Sequence, residues 1–126
     1  MATSKAPADF SVRSIEHAKG AVTVIEFRDR RLIDAVHIEK LGRQILELIA
    51  KQRTPRVVLS FKYVEFLSSS ALNALIQIEN AIRQKKGQLR LADLDSQLQK
   101  VFTMMKLQKV MPIVDSTDEA VKSLDA

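Results

Sequence analysis

Three consecutive serines, Ser68, Ser69 and Ser70, are the residues of this sequence with the clearest chemical potential. They lie between a mostly apolar stretch and a segment with helical periodicity. A serine hydroxyl can attack a substrate, accept a phosphate or cap a helix. At the start of a helix several backbone N–H groups lack partners, and the helix dipole is positive there. The cluster is therefore typical of either a helix cap or a phosphorylation switch.

A catalytic use of these serines is not supported by the rest of the sequence. Asp34 and His37 are three residues apart, but nothing places His37 near the serines, and no Gly-x-Ser-x-Gly turn surrounds them. Paired catalytic carboxylates and a nucleotide fingerprint are also missing, and the 3 glycines leave little for a phosphate-binding loop. The 2 histidines, His17 and His37, lack metal-ligand spacing, and there is no cysteine. We predict a non-enzymatic protein with no metal and no cofactor.

Length and composition indicate one globular domain. The chain has 126 residues, of which 46% are hydrophobic and 28% charged. No apolar run approaches the roughly 18 residues needed to cross a bilayer. Residues 1–9 lack the apolar core of a secretory signal. We therefore expect a cytoplasmic protein with no membrane insertion, formed of a flexible leader over residues 1–9 and one domain over residues 10–126.

The charge balance is basic, with 20 Lys and Arg against 15 Asp and Glu, a net charge of +5. Such a balance can indicate nucleic-acid binding, but only 5% of the residues are aromatic, and no platform for stacking bases is visible. Solvated surface charge is the first interpretation, and a basic face that docks an acidic protein is the second. The basic residues are spread along the chain, with small groups at Arg28, Arg30 and Arg31; Arg53 and Arg56; and Arg83, Lys85 and Lys86.

The elements that must position the serines alternate between strand and helix. β-Branched runs predict a hairpin, and apolar residues at helical spacing then predict a helix that ends before Pro55. An unbroken apolar run follows, which indicates a strand buried on both faces. The predicted elements are strands 10–16 and 21–27, a possible short strand at Leu32 and Ile33, helix 36–51 and strand 57–59.

The second half continues the alternation. We predict helix 71–84, with Gly87 as a left-handed cap, then strand 89–92, a helix opened by a Ser96–Gln99 capping box, strand 113–114, and a helix that a Ser116–Glu119 capping box opens and that ends near Leu124. Met104, Met105 and Met111 are consistent with an adaptable binding surface, but their setting beside Phe102, Leu107 and Val110 favours core packing. Tyr63 and Phe66 are predicted to be structural. The order predicts an α/β domain with a mixed, mostly parallel sheet of four to five strands and about four helices.

Three stretches together resemble the STAS domain, named for sulfate transporters and anti-sigma-factor antagonists. Residues 32–35 are similar to the family's leucine–aspartate step into its first helix. Residues 56–75 are similar to its signature segment, in which a strand and an apolar pair precede Asp-Ser-Ser-Gly-Leu-Gly and a helix. Residues 87–107 are similar to its C-terminal strand–helix pair. The resemblance spans residues 10–124 and implies a STAS-like single domain.

The resemblance also implies a regulatory site. Ser69 and Ser70 match the two serines of the motif, of which the second is phosphorylated in the antagonists, so Ser70 is the expected acceptor and Ser69 the less favoured one. Ser68 stands in place of the aspartate, and Ala71 and Asn73 in place of glycines. These replacements change the local charge and add side chains where a kinase must approach.

The function implied is that of a partner-switching regulator, a monomer or weak dimer. It would bind an anti-sigma factor, a serine kinase of histidine-kinase-like ATPase fold that carries its own ATP, until phosphorylated, and a PP2C-type phosphatase would reverse the modification. The implied partner-binding residues are Asp34, Ser68, Ser69, Ser70, Ala71, Asn73 and Ala74.

Three alternatives remain open. The altered motif is also consistent with a constitutive STAS docking subunit of a signalling or transporter-associated complex. Nucleic-acid binding through the positive charge is a less favoured possibility. Locally, Asp34 and one of Ser68 or Ser69 can serve as helix N-caps, with or without a regulatory role.

Overall fold

The computed structural model describes residues 10–16 and 20–124, which form an α/β domain. A five-stranded sheet has the order β1-β2-β4-β6-β7, and a separate two-stranded ribbon pairs β3 with β5. None of the helices among the described residues is both long and apolar enough to cross a membrane. The elements are β1 Phe10–Ile15, β2 Val22–Phe27, β3 Arg31–Leu32, α1 Ala35–Ala50, β4 Arg56–Ser60, β5 Phe66–Leu67, α2 Ser69–Gln84, β6 Gln88–Ala92, α3 Ser96–Met104, a 3₁₀ turn Leu107–Lys109, β7 Ile113–Val114 and α4 Thr117–Ser123.

The sheet has the predicted mixed, mostly parallel character. β1 and β2 form an antiparallel hairpin in which Phe10 faces Phe27, while β2, β4, β6 and β7 run parallel. Val57, Val58 and Leu59 of β4 are completely buried, since one face of the sheet is covered by α1, α2 and α3 and the other by α4. Their unbroken apolar run follows from this double coverage.

Helices α1 and α2 pack with their predicted apolar stripes toward the sheet and cross where two small residues meet. A Cβ added to Gly42 of α1 would lie 3.7 Å from the Cβ of Ala74 in α2, an ordinary van der Waals contact. The buried stripe residues are Ile38, Leu41, Ile45 and Ile49 of α1, and Ala71, Leu75, Ile78 and Ile82 of α2.

The end of α2 corrects one prediction. The left-handed residue is Lys86, with φ of 60°, and not Gly87. The N–H of Lys86 donates to the carbonyl of Arg83 and that of Gly87 to the carbonyl of Ile82, each at 2.9 Å, which is the Schellman pattern. Gly87 is needed for another reason: a Cβ there would lie 2.1 Å from the carbonyl oxygen of Pro55.

The same corner of the domain closes the end of α1. The ammonium of Lys85 donates to the carbonyl oxygens of Ile49, Ala50 and Gln52 at 3.2, 2.8 and 2.6 Å. The carbonyls of Ile49 and Ala50 belong to the last turn of α1, and that of Ile49 also accepts from the N–H of Gln52 at 3.0 Å. A cation at this end complements the helix dipole. The C-termini of α1 and α2 are therefore tied together.

The caps of the last two helices were predicted with mixed success. Asp95, not Ser96, caps α3, because its carboxylate accepts from the N–H of Leu98 at 2.9 Å. Ser116 caps α4 as predicted, accepting from the N–H of Glu119 at 3.1 Å. An aspartate one residue earlier can reach the same orphan N–H groups as the predicted serine, so the pattern alone did not separate them.

Asp93 joins the ends of two strands to α4. It has a left-handed backbone, φ of 63°, and one of its carboxylate oxygens accepts from the hydroxyls of Ser60 and Thr117, both at 2.6 Å. Next to it, the Arg90 guanidinium donates to Ser123 of α4 at 3.0 Å. Burial lowers the pKa of Arg90. These bonds hold the short helix α4 on the sheet.

The two glycines at packed positions should respond oppositely to alanine. Gly42→Ala is expected to raise the free energy of unfolding by up to about 1 kcal/mol, because Ala is the better helix former and its methyl has room. Gly87→Ala should lower it by more than about 2 kcal/mol, because the backbone of Pro55 must move. Urea unfolding followed by circular dichroism measures both. Equal effects of the two substitutions would contradict the packing described here.

Candidate functional site

The site is built by the short ribbon of β3 and β5. Leu32 pairs with Leu67 in parallel, and the N–H of Ser68 donates to the carbonyl of Leu32 at 2.9 Å. Each strand then leads within two residues into an N-cap, Asp34 for α1 and Ser68 for α2. Helices α1 and α2 therefore begin beside each other, with the positive ends of their dipoles at one surface.

Both N-caps are formed by the side chains that the sequence offered. The Asp34 carboxylate accepts from the N–H groups of Val36 at 3.0 Å and His37 at 3.5 Å. The Ser68 hydroxyl accepts from the N–H of Ala71 at 3.2 Å. The capping interpretations of Asp34 and Ser68 are thus confirmed. Since Ser68 is the cap, α2 begins at Ser69, two residues before the predicted start at Ala71.

Ser69 and Ser70 lie in the first turn of α2. Ser69 is exposed and Ser70 is half-buried. Because Ser68 supplies the cap, neither hydroxyl is needed to start the helix. A modification of Ser69 or Ser70 therefore leaves the N-cap bond in place, and both serines lie beside orphan N–H groups that favour negative charge.

The two positions at which the signature motif has glycine differ in their surroundings. Ala71 is only 4% exposed and, with the half-buried Ala74, lines the space between α1 and α2. Asn73 is exposed on the outer face of α2. The methyl of Ala71 therefore points inward, away from the surface assigned to it by the resemblance, and only Asn73 adds a side chain outside.

Charged side chains surround the ribbon. The Arg30 guanidinium pairs with the Glu65 carboxylate at 3.0 Å, and Arg31 lies 5.4 Å from the centre of the Phe66 ring. His37 contacts the Asp29 carboxylate in the loop before β3.

The described residues also contain no group of three or more His, Asp or Glu side chains arranged to hold a metal ion.

Four exposed apolar residues of β5 and of the C-terminal half of α3 were misjudged or passed over. Met104 and Met105 were predicted to lie in the core, but they are 81% and 53% exposed. Phe66 is 48% exposed and Val101 is 36% exposed. Helix α3 has only one inward stripe, formed by Leu98 and Phe102, and Met105 is already its C-cap. The sequence did not show that α3 ends at Met104, and the core prediction for Met104 and Met105 was wrong for this reason. The core prediction for Met111 is confirmed, since Met111 is fully buried.

An α/β sheet domain with serines at the start of α2 is the class of protein described so far. Comparison with known proteins identifies its family. The STAS domain model matches residues 14–120, and the chain belongs to the STAS domain family. An anti-sigma F factor antagonist of Paenibacillus polymyxa is 28% identical over 111 residues, 88% of this chain and 92% of the relative.

Solved structures agree on the fold. An anti-sigma-factor antagonist (STAS) domain protein from Planctomyces limnophilus has a TM-score of 0.76 and 22% identity, covering 90% of this chain and 96% of that one. The Bacillus cell fate determinant SpoIIAA in its phosphorylated form has a TM-score of 0.65 and 19% identity, covering 90% and 97%. The chain is thus a STAS domain similar to the anti-sigma-factor antagonists, as the sequence had indicated.

Alanine substitutions should separate the cap from the other serines. Ser68→Ala is expected to lower the free energy of unfolding by about 1 kcal/mol, because an N–H of α2 loses its partner. Ser69→Ala, at an exposed position of the first turn, should change it by less than about 0.5 kcal/mol. Chemical unfolding of the two variants measures the difference. If Ser69→Ala lowered the free energy of unfolding more than Ser68→Ala, Ser68 would not be the N-cap of α2.

Proposed function

We propose that this chain is an anti-sigma-factor antagonist that works by partner switching. The unphosphorylated form binds an anti-sigma factor and so releases a sigma factor, and phosphorylation of Ser70 ends the binding. The observation that carries the proposal is the placement of Ser69 and Ser70 in the first turn of α2, while Ser68 holds the cap. The acceptor can change its charge without losing the bond that starts its helix.

A phosphate suits this position electrostatically. It adds nearly two negative charges at the start of α2, with the start of α1 alongside. Asp34 is a carboxylate at the start of the neighbouring helix, and Ser68 stands where the family motif has an aspartate. A phosphate on Ser70 is therefore repelled by one carboxylate fewer within its own domain. The new charge and bulk therefore act on a partner pressed against the surface more than on the domain that carries them.

The partner surface consists of the outward residues at the two helix starts. Asp34, Ser69 and Asn73 are exposed, and Ser68 and Ser70 are half-buried between them. Ala71 and Ala74 support this surface from the inside.

The partner we propose is a serine kinase of histidine-kinase-like ATPase fold, and a PP2C-type phosphatase reverses the modification. ATP belongs to the kinase, so the chain itself needs neither cofactor nor active site and acts as a non-enzymatic cytoplasmic regulator. The names of the relatives, which are anti-sigma-factor antagonists, support an anti-sigma factor as the partner, and one protein of the same fold is known in a phosphorylated form.

One feature favours a second candidate, a constitutive docking subunit. The exposed Asn73 stands where the family has glycine, so a kinase meets an extra side chain one turn from the acceptor.

Asn73→Gly is expected to raise the rate of Ser70 phosphorylation by a kinase and to lower helix stability by under about 1 kcal/mol. Asn73→Ala is the matched control, because it also shortens the side chain but does not weaken the helix.

The decisive experiment is intact-mass analysis with phosphosite mapping of the full chain purified from its own cells in several growth states. We expect a single phosphate on Ser70 whose occupancy changes with growth state. Ser70→Ala should abolish it, whereas Ser69→Ala should retain it. An anti-sigma factor should bind wild type and Ser70→Ala but not Ser70→Asp, as read by isothermal titration calorimetry.

An unmodified chain in every growth state would contradict the switch and leave constitutive docking. Salt-sensitive binding to random DNA or RNA, with no protein partner, would instead identify the positive charge as a nucleic-acid surface.

A further inference from the structure

A strip of exposed apolar side chains adjoins the serine site. We define the apolar strip as Phe66, Val101, Met104 and Met105, which are 48%, 36%, 81% and 53% exposed. Phe66 and Val101 line one groove of about 330 Å³ between β5 and α3. Met104 follows Val101 by three residues and lines a second groove, which shares Lys100 with the first, and Met105 is the C-cap residue of α3. Phe66 lies only two residues before Ser68, so the strip continues the serine surface.

The surroundings of the strip are positively charged. Residues 96–114 contain three lysines, Lys100, Lys106 and Lys109, and the aspartates Asp95 and Asp115 lie directly outside this stretch. Lys100 lines the groove with Phe66, and the Arg31 guanidinium lies over the Phe66 ring. The groove also holds one carboxylate, Glu65, but that group pairs with Arg30. The groove and α3 therefore present apolar surface flanked by cations.

We infer that the apolar strip binds an acidic amphipathic segment of a protein partner. Apolar side chains of that segment pack on Phe66, Val101 and the methionines, whose flexible thioethers adapt to different shapes. Carboxylates beside them meet Lys100 and Arg31.

The identity of this partner as the anti-sigma kinase rests on the proposed function. In that case the strip explains how phosphorylation weakens partner binding, because a phosphate on Ser70 places negative charge beside the acidic segment of the partner. Like charges at close range oppose binding, and the segment is displaced.

A defined pair of synthetic peptides tests the inference on the full chain. One is a short amphipathic helix with Leu and Phe on its apolar face and Glu on its polar face, and the other carries Lys in place of every Glu. In titrations followed by ¹⁵N–¹H spectra, the Glu peptide should shift the amides of Phe66 and of residues 97–106. The Lys peptide should bind at least about tenfold more weakly.

Matched variants locate the binding. Val101→Ser should weaken the Glu peptide by about tenfold, and Arg31→Gln should weaken it at low salt only. Val12→Ser is the control, since Val12 is 44% exposed on β1. It should leave the affinity unchanged. The spectra also report whether each variant remains folded.

Three results would overturn the inference: equal affinity for the two peptides, shifts that map outside the strip, or binding of anionic phosphatidylglycerol vesicles that removes the same signals. The last result would identify a membrane surface instead. Neither peptide requires phosphorylation or a kinase. If the chain is never phosphorylated, the proposed switch fails, but the peptide result still stands. If the peptides do not bind at the strip, this inference fails, but phosphorylation of Ser70 can still be observed.

Discussion

The parallel pairing of β3 with β5 is the constraint on which the site depends. These strands have only two residues each, yet their pairing and the bond from Ser68 to Leu32 fix where α1 and α2 begin. Two N-caps, two positive dipole ends and the serines then share one surface. If this register shifted by one residue, the buried Leu32 would turn away from the core, and Asp34 and Ser68 would no longer lie beside each other.

Much of the fold could be predicted because its signals are local or periodic. The burial of β4 is visible in Val57, Val58 and Leu59, and the stripes of α1 and α2 follow the helical period. β5 could not be predicted, since two residues with an exposed Phe66 carry no periodicity, and only their partner β3 makes them a strand. Whether Phe66 and Leu67 form a strand therefore depends on tertiary contacts and not on the local sequence.

The errors at helix ends have a common physical origin. Lys86 instead of Gly87 takes the left-handed conformation, and Asp95 instead of Ser96 caps α3. In both cases neighbouring residues could satisfy the same orphan groups. At the end of α2 a distant contact also matters, because a Cβ at Gly87 would meet the carbonyl oxygen of Pro55. At the site, the capping roles of Asp34 and Ser68 were predictable, but the inward direction of Ala71 was not, because it depends on how α2 packs.

The replaced motif residues affect charge and access separately. Ser68 in place of aspartate keeps the cap and removes a negative charge, which eases the addition of a phosphate at the start of α2. Ala71 is buried, so of the two positions at which the motif has glycine only Asn73 would change the surface that the proposed kinase meets. An electrostatically receptive acceptor with one added obstacle is expected to be slow to phosphorylate rather than inert. A domain of this kind would hold its partner for longer before release, and the length of that interval would depend on the side chain at position 73.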